Sequence, residues 1–252
     1  MSVSGKHVLV TGGGTGVGAA IAEAMAHAGA RVTVVGRREA PLRDVASTHK
    51  FIGWKICDVT DAASVQAMVA EARALNGPVE VVVANAGAAE SVPFAKMRPA
   101  QLRDMLDVNL AGVVNVWQAA LGDMQTAGWG RLIAVASAAG LKGYPYVSGY
   151  CAAKHGVVGL TRAVAIEMAD SGITANAICP GFVETPMLER SVANIMEKTG
   201  MTEERARGSL MRSNPQKRFV QVEEVAGAAM WLCDEAAQSV NGHAMSLSGG
   251  EV

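Results

Sequence analysis

The sequence predicts an α/β protein: a doubly wound sheet of seven parallel strands with helices on both faces and a small helical lid. Three observations predict it. Short β-branched runs alternate with helix-period segments along the chain. Half of the residues are hydrophobic while only 4% are aromatic, so the core is built from Ala, Val, Leu, Ile and Met, which suits parallel strands covered by helices. No linker, repeat or low-complexity run interrupts the alternation, so all 252 residues are expected to form a single domain, 1–252.

In order, the expected strands are 7–12, 31–36, 54–59, 79–87, 131–137, 173–181 and 243–250. The segments between them carry apolar residues every three to four positions, as in Val17, Ile21, Met25 and Ala28, or Val65, Met68, Val69 and Ala72. Two long helices are expected, over about 100–127 and 149–169. The rhythm lapses only at 183–220, where two amphipathic pieces are inserted before the next helix. An excursion of this size in a compact fold is usually functional, and Met187, Met196, Met201 and Met211 would make it a pliable apolar lid.

Bulk properties exclude several classes. With 22 basic residues against 23 acidic ones and no Lys/Arg run, nucleic acid is not an expected partner. No stretch reaches the roughly 18 apolar residues of a membrane span, and the start shows no secretory signal, so a soluble cytoplasmic protein is expected. Cys57, Cys151, Cys179 and Cys233 form no C-x-x-C pair and have no histidine at ligand spacing, so they read as reduced and buried, with no metal.

The first strand breaks into T-G-G-G-T-G-V-G, Thr11 to Gly18, and a helix follows. Gly12 makes the turn tight, Gly16 admits a pyrophosphate against backbone N–H groups, and Gly18 lets helix and strand approach. Thr15 and Val17 complete this turn. The second strand ends in Gly36-Arg37-Arg38, with no carboxylate to grip a ribose 2′-hydroxyl. Arginine pairs a 2′-phosphate bidentately, which favours NADP(H), with NAD(H) open if Arg37 and Arg38 are only a solvated helix start. Asp58, after the third strand, is equally suited to capping the next helix.

The G-x-x-x-G-x-G spacing, with C-D-V at Cys57 to Val59 and N-A-G at Asn85-Ala86-Gly87, resembles the short-chain dehydrogenase/reductase family and its Rossmann-type fold. The resemblance implies that Asp58 and Val59 meet the adenine. It further implies that Asn85, Ala86, Gly87, Pro180, Gly181, Val183 and Thr185 belong to the dinucleotide site, with Thr185 at the nicotinamide carboxamide. Departures are Ala84 in place of the first Asn of N-N-A-G and Ser248 where an aspartate often precedes the last G-G.

Tyr150 and Lys154, in Y-C-A-A-K, are four apart and share a helix face. A nearby lysine charge and an oxidised nicotinamide would favour the phenolate of a tyrosine whose ordinary pKa is near 10. Tyr150 would then be the acid in reduction and the base in oxidation. Ser137 ends the fifth strand and could bind the substrate oxygen. Asn109, in D-V-N-L-A-G, is a polar residue within an apolar helix. Together the four resemble the family's Asn-Ser-Tyr-Lys set, in which the Asn anchors a water relay to the lysine. His155 points to a different helix face and reads as packing or capping.

The segments Y-C-A-A-K-H-G-V-V-G-L-T and N-A-I-C-P-G-F-V-E-T-P-M look like 3-oxoacyl and polyketide ketoreductases and 3-hydroxybutyrate dehydrogenases. The expected reaction is reduction of a 3-oxoacyl thioester, on CoA or a carrier protein, or of a related β-keto compound. The alternatives are catabolic, NAD-dependent oxidation of a secondary alcohol and a dinucleotide-binding homologue without turnover. Residues 88–94, 138–147 and the insertion should line the substrate pocket. The resemblance implies pairing of the two long helices across twofold axes, so a homotetramer is expected, with a dimer left open.

Overall fold

The structure, a computed structural model, describes residues 3–252. Its seven strands are β1 (His7–Thr11), β2 (Arg31–Gly36), β3 (Ile52–Ile56), β4 (Val79–Ala84), β5 (Gly130–Val135), β6 (Ile173–Pro180) and β7 (Ala244–Leu247). The helices are α1 (Gly16–His27), α2 (Glu39–Thr48), α3 (Ala62–Asn76), α4 (Pro99–Leu106), α5 (Gly112–Ala127), α6 (Ser148–Glu167), α7 (Pro186–Thr199), α8 (Glu203–Met211) and α9 (Val222–Leu232). All strand pairs are parallel, in the order β3-β2-β1-β4-β5-β6-β7. The order reverses between β1 and β4, and ligands bind beyond the carboxyl ends of the strands at such a switch point.

Successive strand side chains point to opposite faces, and here both faces are apolar. Leu9, Val82 and Leu132 pack with α3, α5 and α6, while Val8, Val10, Val81, Val83 and Ile133 pack with α1, α2 and α9. This double burial is why the strands read as continuous apolar runs. A third cluster of Leu188, Val192, Ala206 and Phe219 binds α7 to α8 and stands apart from both.

Three expectations shift. The carboxyl ends expected for β1 and for β3 through β7 are one to three residues too long, because pairing stops before the apolar pattern does. The helix expected over 100–127 is broken by a π turn, Asp107–Ala111, between α4 and α5. Asp61, not Asp58, caps α3, its carboxylate accepting from Ala63 N and Ser64 N. Asp58 instead closes a turn on Thr60, accepting from its amide at 3.0 Å and its hydroxyl at 2.8 Å.

Candidate active site

At the end of β1, Gly12 has φ +63° and Gly16 φ +56°, both in the left-handed region that favours glycine. A side chain at Gly18 would run into the Gly12 carbonyl, so α1 starts hard against the strand only because Gly18 has none. Thr15 occupies the N-cap of α1 without capping it, and no acidic residue lies in the first turn. The first N–H groups of α1, which include that of Val17, are therefore served by no side chain, the arrangement that receives a pyrophosphate.

Asn85 braces this turn from β4. Its Nδ2 donates to the carbonyls of Thr11 at 3.0 Å and Gly12 at 3.2 Å, while the Thr11 hydroxyl accepts from the amides of Asn85 and Ala86, each at 3.1 Å. Both N–H donors of its side-chain amide are therefore taken up in shaping the cradle. Thr185, at the N-cap of α7, lies against the turn, its Cγ2 3.1 Å from where a Cβ on Gly16 would stand. Val183, just before it, pairs with Val220, and Pro180-Gly181 leave β6 directly beneath.

On the adenine side, Val59 is buried and its carbonyl accepts from Asn115 Nδ2 at 2.8 Å, which leaves its amide as the group able to meet a base edge. Arg37 and Arg38 are exposed at the start of α2, and Arg37 Nη1 stands 3.8 Å from Asp58 Oδ2. The turn at Thr60 is the main reason that the Asp58 carboxyl is held below its ordinary pKa, with Arg37 adding to it.

The four residues of the expected chemical set come from three elements and converge at the carboxyl ends of β4 and β5. Tyr150 and Lys154 lie one turn apart near the start of α6, which carries them past β5. Lys154 is buried and its Nζ donates to the Val135 carbonyl at 2.9 Å, standing 5.6 Å from the centre of the Tyr150 ring. Ser137, just after β5, accepts from Ala139 N at 3.1 Å, and its hydroxyl stands close enough to that of Tyr150 to pull the phenol's pKa down.

Asn109 sits in the π turn, fully buried. Its Nδ2 donates to Ala88 O at 2.9 Å and to Met105 O at 3.0 Å, and its Oδ1 accepts from Ala88 N at 3.3 Å. Met105 O is the carbonyl that the Asn109 amide would take in a regular α-helix. Gly87 permits this packing, since a Cβ there would lie 2.7 Å from Asn109 Oδ1 and 3.6 Å from Lys154 Nζ. The Asn109 side chain is thus committed to the loop after β4, and a water relay anchored here would have to use its backbone.

The expected electrostatics of the pair need correction. Burial pushes the Tyr150 phenol up to about 12, with Ser137 pulling against it, and Lys154 does not figure among the causes. Burial also lowers Lys154, to about 8. The lysine is tied to a carbonyl, and its charge does not bring the phenol down unaided. His155 makes a local contact, its Nδ1 2.9 Å from the Cys151 carbonyl.

The three stretches expected to form the substrate walls meet. Val92 N donates to Tyr146 O at 2.7 Å, joining 88–94 to the loop between β5 and α6. In that loop Tyr146 adopts φ +67°, and Tyr144 meets Phe182 of the β6–α7 loop edge to face at 6.3 Å. Lys198 of α7 reaches the Ser91 carbonyl at 3.4 Å. The sequence reading missed Glu251, which lies beside this loop and is buried despite its place near the chain end.

The short chain dehydrogenase family matches residues 6–195. D-beta-hydroxybutyrate dehydrogenase of Rhizobium meliloti is 35% identical over 97% of this chain and 98% of its own. The putative ketoacyl reductase of Streptomyces coelicolor is 36% identical over 96% of this chain and 95% of its own. Among solved structures, a variant of actinorhodin polyketide ketoreductase with NADPH superposes with a TM-score of 0.94 at 34% identity, covering 100% of this chain and 98% of that one. Those likenesses span the glycine turn, the serine, the tyrosine–lysine pair and both flanks of the sheet, and the chain belongs to the short-chain dehydrogenase/reductase family of nicotinamide-dependent oxidoreductases acting on CH–OH groups.

Proposed function

We propose that the protein reduces the ketone of a β-keto compound, in the first instance a 3-oxoacyl thioester, to the secondary alcohol, with NADP(H) as cofactor. The observation that carries the reading is the grouping of Ser137, Tyr150 and Lys154 at the carboxyl end of β5, beside a cradle fit for a dinucleotide pyrophosphate. The bound nicotinamide supplies the hydride that passes to the carbonyl carbon. Ser137 and Tyr150 hold the carbonyl oxygen between their hydroxyls, and Tyr150 gives its proton to that oxygen as charge develops. Lys154 has further N–H donors beyond the one given to Val135, free to bind the ribose and to restore the tyrosine proton. Asn109 keeps the loop after β4 in place.

The pair Arg37 and Arg38, without an acid at the end of β2, supports NADP(H) over NAD(H). The likeness to a protein named D-beta-hydroxybutyrate dehydrogenase supports a second reading, oxidation of a 3-hydroxy compound with NAD, since the same residues serve either direction. Helices α7 and α8, with their own small core, act as the substrate lid of a single-domain enzyme. We assign it to the cytoplasm as a homotetramer: the described residues include no helix long and apolar enough to cross a membrane, and Ile166 on α6 is 79% exposed, as a helix-pairing face would leave it. Purified protein given NADPH and then NADH with acetoacetyl thioesters and simple ketones tests the proposal. Oxidation of NADPH with the thioester is the expected result. Activity only with NAD and alcohols would establish the second reading.

A further inference from the structure

Glu251 follows β7, and its side chain is 2% exposed. One oxygen, Oε1, accepts from the Tyr144 hydroxyl at 2.6 Å and from Lys142 Nζ at 2.8 Å. The other, Oε2, has no partner among the described residues and lies 3.6 Å from where a Cβ on Gly181 would stand. Burial pushes the carboxyl up, but Lys142 and Tyr144, with the Ser213 hydroxyl beyond α8 nearby and itself donating to Leu210 O, outweigh it and hold the group below its ordinary pKa. One carboxylate therefore touches the β5–α6 loop, the start of the β6–α7 loop and the end of the lid.

The charge balance of these walls follows from that contact. Across 88–97, 138–147 and 181–220 the basic residues are Lys96, Lys142, Arg190, Lys198, Arg205, Arg207, Arg212, Lys217 and Arg218. All but Lys142 and Arg207 are exposed; Arg207 is paired on the lid surface with Glu184 and Glu189, and Lys142 is the one bound to a buried acid, Glu251. A substrate carboxylate reaching the wall that Tyr144 and Phe182 form would meet a cation already neutralised and, behind it, a buried acid with a bare oxygen. Repulsion and lost solvation would both act against it.

We propose that Glu251 is a positioning residue of the substrate site: it fixes Tyr144 and Lys142 against the β6–α7 loop and, by cancelling the Lys142 charge, selects β-keto esters and thioesters over free 3-oxo acids. This rests on the β-ketone reading above. The test compares methyl acetoacetate with acetoacetate as substrates of the wild type, Glu251→Gln, Glu251→Gln with Lys142→Met, and Tyr144→Phe. The wild type should prefer the ester by at least about tenfold in kcat/KM, and Glu251→Gln should narrow that ratio about tenfold through the KM of the acid. Adding Lys142→Met should restore the preference, an outcome that general loosening of the loop would not give. Tyr144→Phe, which keeps the ion pair, should raise both KM values together and leave the ratio alone. An unchanged ratio in Glu251→Gln, or a wild-type preference for acetoacetate, would overturn this proposal alone. Turnover of simple ketones with neither acetoacetate nor its ester reduced would overturn the β-ketone reading along with it.

Discussion

Lys154 Nζ is tied to the Val135 carbonyl at 2.9 Å and is thereby held 5.6 Å from the centre of the Tyr150 ring. The carbonyl belongs to the last residue of β5, and Ser137 follows two residues on. The same bond that immobilises the lysine therefore sets its height relative to Ser137 and Tyr150. The result is two buried groups whose pKa values are driven in opposite directions by one cause, loss of solvation.

That opposition is measurable in the pH dependence of stability. Lys154 falls from an ordinary 10.5 to about 8, so between those values the unfolded chain holds a proton that the folded chain has shed. Lys154 by itself should therefore make stability rise with pH, by about 1.4 kcal/mol per unit, and the net rise should be confined to about pH 8 to 9, because Cys179 and Cys233, raised by burial to about 11 and about 12, act in the opposite sense above 9. Tyr150 has the reverse sign: its folded value of about 12 exceeds the ordinary 10, so its contribution is lost as pH climbs above 10. Urea unfolding at several pH values should show the rise, and Lys154→Met should flatten it. A rise that survives the substitution would assign it to another group.

Tyr150→Phe should lower kcat by about 10²- to 10⁴-fold, the usual worth of a placed general acid, while dinucleotide affinity stays within a few-fold. Ultraviolet difference spectra give a second check. Because the protein's own groups leave the phenol near 12, no ionisation assignable to Tyr150 should occur below 10 in the protein alone. Addition of the oxidised dinucleotide should bring one tyrosine equivalent into that range, and Tyr150→Phe should remove it. Full activity in the variant would dismiss Tyr150 as the proton donor.

The glycine turn, the tyrosine–lysine pair and the alternation of strands were legible in the sequence because each is a local pattern with one physical cause. The strand ends were not. Cys57, Val59 and Ala136 stay buried in the core beyond the last residues of β3 and β5, so the apolar run outlasts the strand. The π turn at Asp107–Ala111 was also hidden, since one extra residue per turn leaves apolar spacing nearly intact over so short a stretch. Asn109 inside an apolar helix was the only signal for it. Glu251 gave none: an acid close to a chain end reads as solvated, and its partners Lys142 and Tyr144 lie more than 100 residues away.

Arg37 is 74% exposed and only 3.8 Å from the half-exposed Asp58, so the pair is weak and the guanidinium is available to a 2′-phosphate. Replacing both Arg37 and Arg38 with alanine should raise the KM for NADPH about 10- to 100-fold, with NADH changed less than about threefold. The NADPH effect should shrink at high salt, as expected for exposed charges. Equal loss with both dinucleotides would mean that the arginines do not read the phosphate.

Asn109 offers the sharpest test of the site's scaffold, because one buried side chain satisfies Ala88 N, Ala88 O and Met105 O at once. Asn109→Leu keeps the branched outline, though it is larger, and orphans all three, each at a cost of about 1–3 kcal/mol if it finds no water. Asn109→Asp keeps the acceptor for Ala88 N but sets a carboxylate against two carbonyl oxygens, and should be worse above neutral pH than below it. Thermal unfolding should show both effects, with a loss of at least several degrees in the leucine variant. If the side chain served catalysis alone, melting would be unchanged while kcat fell. The contacts predict the opposite order, with the fold weakened first and kcat reduced through movement of the loop that holds Gly87 beside Lys154.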